Sequence, residues 1–182
     1  MPEEYRKEQF PPKGVSNRNK GLEWIRKNAR SGVIYFADDD NTYDLELFEE
    51  IRHTKRVSMF PVGLMPHLGV CTPVVEKGKL INFYCGWIGD RKFPIDMAGF
   101  AVSVEFLLTR PRAWVPFLAG YEETGFLVSL QPFEIPDIEL LASNCTKILV
   151  WHTQTKENDE PAPVDLDTYG HTNLAKLGEI MM

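Results

Sequence analysis

The apolar positions change period several times along the chain. "NRNKGLEWIRKNAR", residues 17–30, puts Leu22, Trp24 and Ile25 on one helical face among basic residues. That spacing predicts an amphipathic helix, with Gly32 as the cap beyond it. "VIYFA", residues 33–37, is β-branched and aromatic and predicts a short buried strand. Leu45, Phe48 and Ile51 return to helical spacing, with Asn41 or Thr42 as the expected N-cap. "RVSMFPVGLM" and "KLINFYCGW" predict strands, and Pro61 places an edge or a bulge in the first. "IDMAGFAVSVEFLL" predicts a strand followed by a second strand or a helix. "EETGFLVSL" predicts a short helix and "TKILVWHT" a strand. The first 17 residues, with Pro2, Pro11 and Pro12, read as an extended lead-in. The expected organisation is an α/β domain over residues 1–155 and an acidic, proline-broken tail over 156–182, disordered or docked on a partner.

Composition agrees with a globular domain: 182 residues, 43% hydrophobic and 25% charged. A net charge of −6 argues against a nucleic-acid partner. The charge is uneven. Residues 1–30 hold eight Lys/Arg against four Asp/Glu, and the remainder twelve against twenty-two. A basic segment beside an acidic cluster suits an anionic ligand that also needs a metal. "MAGFAVSVEFLL" is too short for a membrane span and carries Glu105, and "MPEEYRKEQFPP" has no apolar leader region, so the chain reads as soluble. Cys71, Cys85 and Cys145 match no zinc spacing and are expected to be buried small hydrophobes. Asn144-Cys145-Thr146 is an acceptor pattern for N-glycosylation at Asn144, which points to a secretory location.

The chemistry concentrates in Asp38, Asp39 and Asp40, directly after the apolar run. Adjacent carboxylates repel one another, and a bound cation offsets that repulsion. In extended backbone Asp38 and Asp40 would face one side, which suits Mg²⁺ or Mn²⁺ with water and phosphate oxygens completing the shell. Helix-capping acids are the plainer reading of one aspartate, but not of three. Two enzyme classes use such an element. Haloacid-dehalogenase-like phosphatases carry D-x-D-x-T after a strand, which Asp38, Asp40 and Thr42 fit. Nucleotide-sugar glycosyltransferases use D-x-D to hold a cation on the sugar-nucleotide diphosphate.

"FADDDNTYDLELFEEIR", "FPIDMAGFAV", "GYEET" and "NCTKILVWHT", in that order, resemble the animal β-1,3-glucuronyltransferases over most of the chain. The resemblance implies a GT-A-type fold: a mixed sheet flanked by helices, here lacking its first strands. It implies Mn²⁺ dependence, UDP-glucuronate as donor, a galactose-terminated glycan as acceptor, and inversion at the anomeric carbon. Asp40 then falls at the metal ligand, and Asp38 and Asp39 at ribose and diphosphate contacts. Glu123 of "GYEET" falls at the catalytic base, which takes the proton of the attacking hydroxyl.

His152, Thr153 and Gln154 of "VWHTQ" fall on the donor side, with Gln154 replacing a basic residue. Arg18 matches one of two donor arginines, and Lys13 stands for the other, losing bidentate geometry. Asp96 falls on the acceptor side. Cys71 stands where the family has an acceptor-contacting glutamate. Trp87 and Trp114 are available as sugar platforms, though core packing is the plainer reading of both. The resemblance also implies a Golgi lumenal location, a membrane span in a full-length form, and a homodimer. With the family's first strands and uracil pocket preceding Met1, the chain by itself is expected to be unstable or inactive, or to act as a non-catalytic partner.

Overall fold

In the computed structural model, which describes residues 2–7, 11–153 and 160–181, the strands form two mixed sheets rather than one. The first runs β1 (Val33–Tyr35), β7 (Phe100–Ser103), β3 (Val57–Met59), β8 (Glu139–Leu140). The second runs β2 (Asn41–Tyr43), β9 (Val150–His152), β4 (Val62–Met65), β5 (Gly69–Glu76), β6 (Lys79–Tyr84). Pairing is antiparallel except between β3 and β8 and between β4 and β9.

Pro61 explains the division. "RVSMFPVGLM" is two strands, β3 and β4, in different sheets. Proline brings no N–H to a ladder, so pairing stops there. Phe60, fully buried, donates its N–H to the Gly99 carbonyl at 3.0 Å and marks the crossover between sheets. β5 escapes the hydrophobic pattern because Pro73 sits inside it. It pairs with β6 through a two-residue turn, Lys77 (φ 50°) and Gly78 (φ 75°), both left-handed as a tight hairpin requires.

That turn sets a register which the cysteine spacing does not reveal. Cys71 and Cys85 lie opposite one another and form a disulfide, with Cα atoms 4.2 Å apart. The expectation that all three cysteines are buried thiols therefore holds only for Cys145, whose thiol burial pushes up. The bond joins residues 14 apart, so its loss is expected to cost about 3 kcal/mol on a loop-entropy basis. Melting with and without reductant, alongside the Cys71→Ala/Cys85→Ala double variant, checks this. Both treatments should lower Tm equally.

The helices also depart from the simple reading. Residues Glu3–Lys7 form a 3₁₀ turn, not an extended arm. Helix α1 (Val15–Asn28) starts after Gly14 and ends at Ala29, so Gly32 is not its cap. Its buried stripe is Val15, Asn19 and Leu22, and Trp24 lies off that stripe, 63% exposed. Asn19 is buried because its amide satisfies both backbone groups of Val115, at 2.8 and 2.9 Å. Helix α2 (Leu45–Ile51) is capped by Asp44, whose side chain accepts from Glu46 N; Asn41 and Thr42 belong to β2 instead.

After β7, Ser103 caps α3 (Val104–Leu108), which resolves the second half of "IDMAGFAVSVEFLL" as helix. Helix α4 (Glu122–Ser129) falls where expected. In α5 (Leu141–Cys145), Ala142, Ser143 and Asn144 are left-handed. The described part of the tail forms α6 (Leu166–Tyr169) and α7 (Leu174–Met181) and docks on its own chain. There buried Asn173 accepts from Val75 N and donates to the carbonyls of Pro73 and Cys145.

Candidate functional site

β1 ends at Tyr35, so the aspartate triplet lies beyond the strand, with Asp39 and Asp40 in a turn that leads into β2. The alternation expected of extended backbone does not apply to it. Asp38 is half-buried and takes an ion pair from Arg18 at 2.5 Å. Arg18 reaches it from α1 by folding back over Gly14, where any side chain would collide with the guanidinium. Its other contact is the Lys13 carbonyl at 3.3 Å; the Lys13 side chain is exposed.

Four polar contacts hold the turn and the start of β2. Tyr43 Oη donates to the Asp38 carbonyl at 2.7 Å. The Thr153 hydroxyl meets the Asp40 carbonyl at 3.1 Å and the Thr42 hydroxyl at 3.0 Å. His152 Nδ1 lies 3.0 Å from Asn41 Oδ1, across the β2–β9 pair. With that oxygen accepting, Nδ1 carries the ring hydrogen. The end of β9 thus props the triplet, which accounts structurally for "VWHT". Gln154 lies outside the described residues. Between α1 and the end of β1 a groove of about 530 Å³ is lined by Arg18, Leu22, Tyr35, Phe36, Asp38 and Asp39.

Asp39 and Asp40 are exposed, and among the described residues neither carboxylate makes an ion pair or side-chain hydrogen bond. Nor, among the described residues, do three His, Cys, Asp or Glu side chains converge on one metal position. The donor set therefore fits a hard cation held by one or two carboxylates, with phosphate and water supplying the other oxygens. A fully protein-ligated structural metal does not fit.

Asp96 connects the triplet to the second half of the site. It caps the 3₁₀ turn Met97–Gly99, accepting from Ala98 N at 2.9 Å. Burial raises its pKa; His152 opposes that rise, while Asp38 and Asp40 add to it. These four groups therefore share one electrostatic neighbourhood. Tyr35 of β1 donates to the Ala98 carbonyl at 2.9 Å and fixes this turn against the strand that leads to the triplet.

Glu123 lies in the first turn of α4, where burial pushes its carboxyl up to about 7, with Asp96 and Glu122 adding to the rise and Arg91 opposing it. A carboxyl with that pKa is poised to take a proton near neutrality. Arg91 was not legible as a site residue. Its guanidinium sits 4.5 Å over the Trp87 ring, and burial lowers its pKa while Glu123, Tyr121 and Asp96 counteract the shift. Trp87, 47% exposed, stands at the rim of this half. Trp114 is not part of it and stacks beneath Arg26. The sequence signal for Arg91 was a charged run, Asp90-Arg91-Lys92, shortly after Trp87.

Two predicted positions fall away from this cluster. Cys71 is buried within the disulfide and presents no polar group to an acceptor. Asn144 is exposed on the left-handed turn of α5, on a separate element.

Residues 1–156 match Glycosyltransferase family 43. The chain is 52% identical over 183 residues to galactosylgalactosylxylosylprotein 3-beta-glucuronosyltransferase P of Drosophila melanogaster, covering 100% of this chain and 38% of that protein. It is 53% identical over 157 residues to the S enzyme of the same organism, covering 86% of this chain and 38% of that protein. It is 46% identical over 154 residues to galactosylgalactosylxylosylprotein 3-beta-glucuronosyltransferase 2 of Homo sapiens, covering 80% of this chain and 47% of that protein. The chain spans less than half the length of these curated relatives.

Proposed function

The chain belongs to glycosyltransferase family 43, and from that premise we propose that it carries the metal–diphosphate and base half of a site for glucuronate transfer from UDP-glucuronate to the 3-hydroxyl of a terminal galactose. The observation that carries this reading is the exposed Asp40 carboxylate, without an ion pair among the described residues, in one electrostatic neighbourhood with Asp96, which in turn acts on the buried Glu123 carboxyl. Asp40 would hold Mn²⁺, with Asp38 and Asp39 beside it. The bound ion would supply Lewis-acid stabilisation of the departing diphosphate.

The chain's own residues do the rest. Arg18 would bring positive charge and hydrogen-bond donors to the rim that receives the diphosphate, and His152, held by Asn41, would contact the diphosphate beside it. The groove beside α1 has room for part of the nucleotide. Glu123 takes the proton from the acceptor hydroxyl as its oxygen bonds to the anomeric carbon. The bond from that carbon to the UDP oxygen breaks with its electron pair, and UDP leaves. One carboxylate and a direct displacement give inversion of the anomeric carbon. Asp96, partly buried with a raised pKa, is placed to accept from an acceptor hydroxyl.

The disulfide and the exposed asparagine of Asn144-Cys145-Thr146 support a lumenal, oxidising location such as the Golgi. The experiment is a transfer assay with UDP-glucuronate and a galactose-terminated disaccharide. Residues 1–182 would be tested alone and joined to the preceding part of the Drosophila melanogaster P relative. Product in the joined protein is expected to require Mn²⁺. A chain that restores no transfer there would favour the reading of a non-catalytic partner.

A further inference from the structure

Segment 86–91 is fastened to the start of α4 by contacts that proton transfer does not itself require. Tyr121 Oη donates to Asp90 Oδ1 at 2.5 Å. The Tyr121 ring meets Trp87 edge-on, with centroids 5.5 Å apart. Gly120, at φ 78°, leaves room for the indole, since a Cβ there would lie 2.6 Å from it. Farther along, Phe93 N donates to the Thr124 hydroxyl at 3.1 Å.

Tyr121 occupies the N-cap position of α4, two residues before Glu123, yet makes no side-chain capping bond. Short N-cap side chains such as Ser, Thr, Asp and Asn accept from the free amides of their own helix, which a tyrosine is too long to do. This one reaches away from the helix and donates to the neighbouring loop. The hydrogen bond to Asp90 raises the Tyr121 pKa, so the phenol keeps its proton across the neutral range.

We propose that Asp90 and Tyr121 form a positioning pair, whose hydrogen bond clamps the 86–91 loop over α4 and so holds Glu123 enclosed with Arg91 beside it. The groups acting on Glu123 come from three elements: Glu122 from α4, Asp96 from the turn before β7, and Arg91 from the clamped loop. Burial is the largest of these influences and Arg91 the smallest. Opening the loop admits water to Glu123, and this outweighs the loss of Arg91, so its pKa falls toward the ordinary carboxylate range. A base displaced and over-acidified accepts a proton less readily.

The proposal rests on Glu123 being the base, but its test does not need transfer to occur. Carboxyl NMR titration of ¹³C-glutamate-labelled chain, with Glu123 assigned from Glu123→Gln, gives the midpoint directly. Tyr121→Phe and Asp90→Ala should each lower the midpoint from about 7 by half a unit or more. The double variant should shift no further than either alone. Asp90→Asn, which keeps an acceptor oxygen, should restore the wild-type midpoint. An unchanged or raised midpoint in both single variants, or additive shifts, overturns the clamp whatever the transfer assay gives. In a protein competent for transfer, the same two variants should lower kcat about tenfold with the donor KM held. If transfer fails throughout while the midpoints move as described, the proposed transfer function falls and the clamp stands.

Discussion

Glu123→Gln is expected to lower glucuronate transfer about 10²–10⁴-fold, the usual contribution of a positioned general base. UDP binding should survive. The same substitution should also stabilise the protein, and only at high pH. In the folded chain the carboxyl is raised from 4.5 to about 7. At pH below 4.5 it is protonated in both folded and unfolded states, and its ionisation costs nothing. As pH rises from 4.5 to about 7, the unfolded state releases the proton and the folded state retains it, so stability falls. Above that window the penalty is complete, on the order of 1–3 kcal/mol. Glutamine never ionises and escapes it. Melting curves of wild type and variant should therefore coincide at pH 4 and separate at pH 8, with the variant more stable. Coincidence at both pH values would mean that Glu123 is not buried beside Asp96 and Glu122 as described, and would remove the physical basis for its role as base.

Asp40→Asn is expected to abolish the metal-dependent part of UDP binding, a loss of about 10–100-fold or more, as for loss of a coordinating or supporting group. The fold should not suffer, because the Asp40 carboxylate is exposed and has no partner among the described residues. Removing one charge from the triplet relieves repulsion. Asp38→Asn should behave differently, since it breaks the ion pair that ties α1 to the triplet. Calorimetric titration of UDP with and without Mn²⁺ separates the two. Equal Mn²⁺ dependence in wild type and Asp40→Asn would reassign the metal ligand.

Local patterns were legible where the chemistry is local. The triplet stood out because its three acids are consecutive, and helix α2 because its apolar residues keep one spacing. What the sequence concealed depends on approach between distant segments. Arg91 and Tyr121 are 30 residues apart, and only the folding of the 86–96 segment against α4 brings Arg91, Asp96 and Glu123 together. The Cys71–Cys85 bond follows from a hairpin register set by Lys77 and Gly78, which cysteine spacing cannot encode. Pro61 was rightly seen as a disturbance, but whether it bends a strand or sends the chain to a second sheet depends on where Gly99 lies.

Letter matches can also mislead. Asp38, Asp40 and Thr42 spell a phosphatase nucleophile motif. Thr42 is instead a strand residue whose hydroxyl bonds Thr153, and family membership sets that reading aside. Glu123 is the intermediate case. Its position in the first helical turn is ordinary, and only the resemblance singled it out. The enclosure by Asp96, Glu122 and Arg91 then supplies a physical reason for the assignment.

The central claim is that the triplet turn and Glu123 form one metal-dependent transfer site. It is tested most directly by the anomeric configuration of the product, read by proton NMR, when the chain joined to the preceding part of its Drosophila melanogaster relative is given UDP-glucuronate and a galactose-terminated acceptor. The account predicts a β-linked glucuronate on the galactose 3-hydroxyl, formed only with Mn²⁺ and lost in Glu123→Gln. An α-linked product, transfer without the metal, or transfer that persists in Glu123→Gln would contradict it.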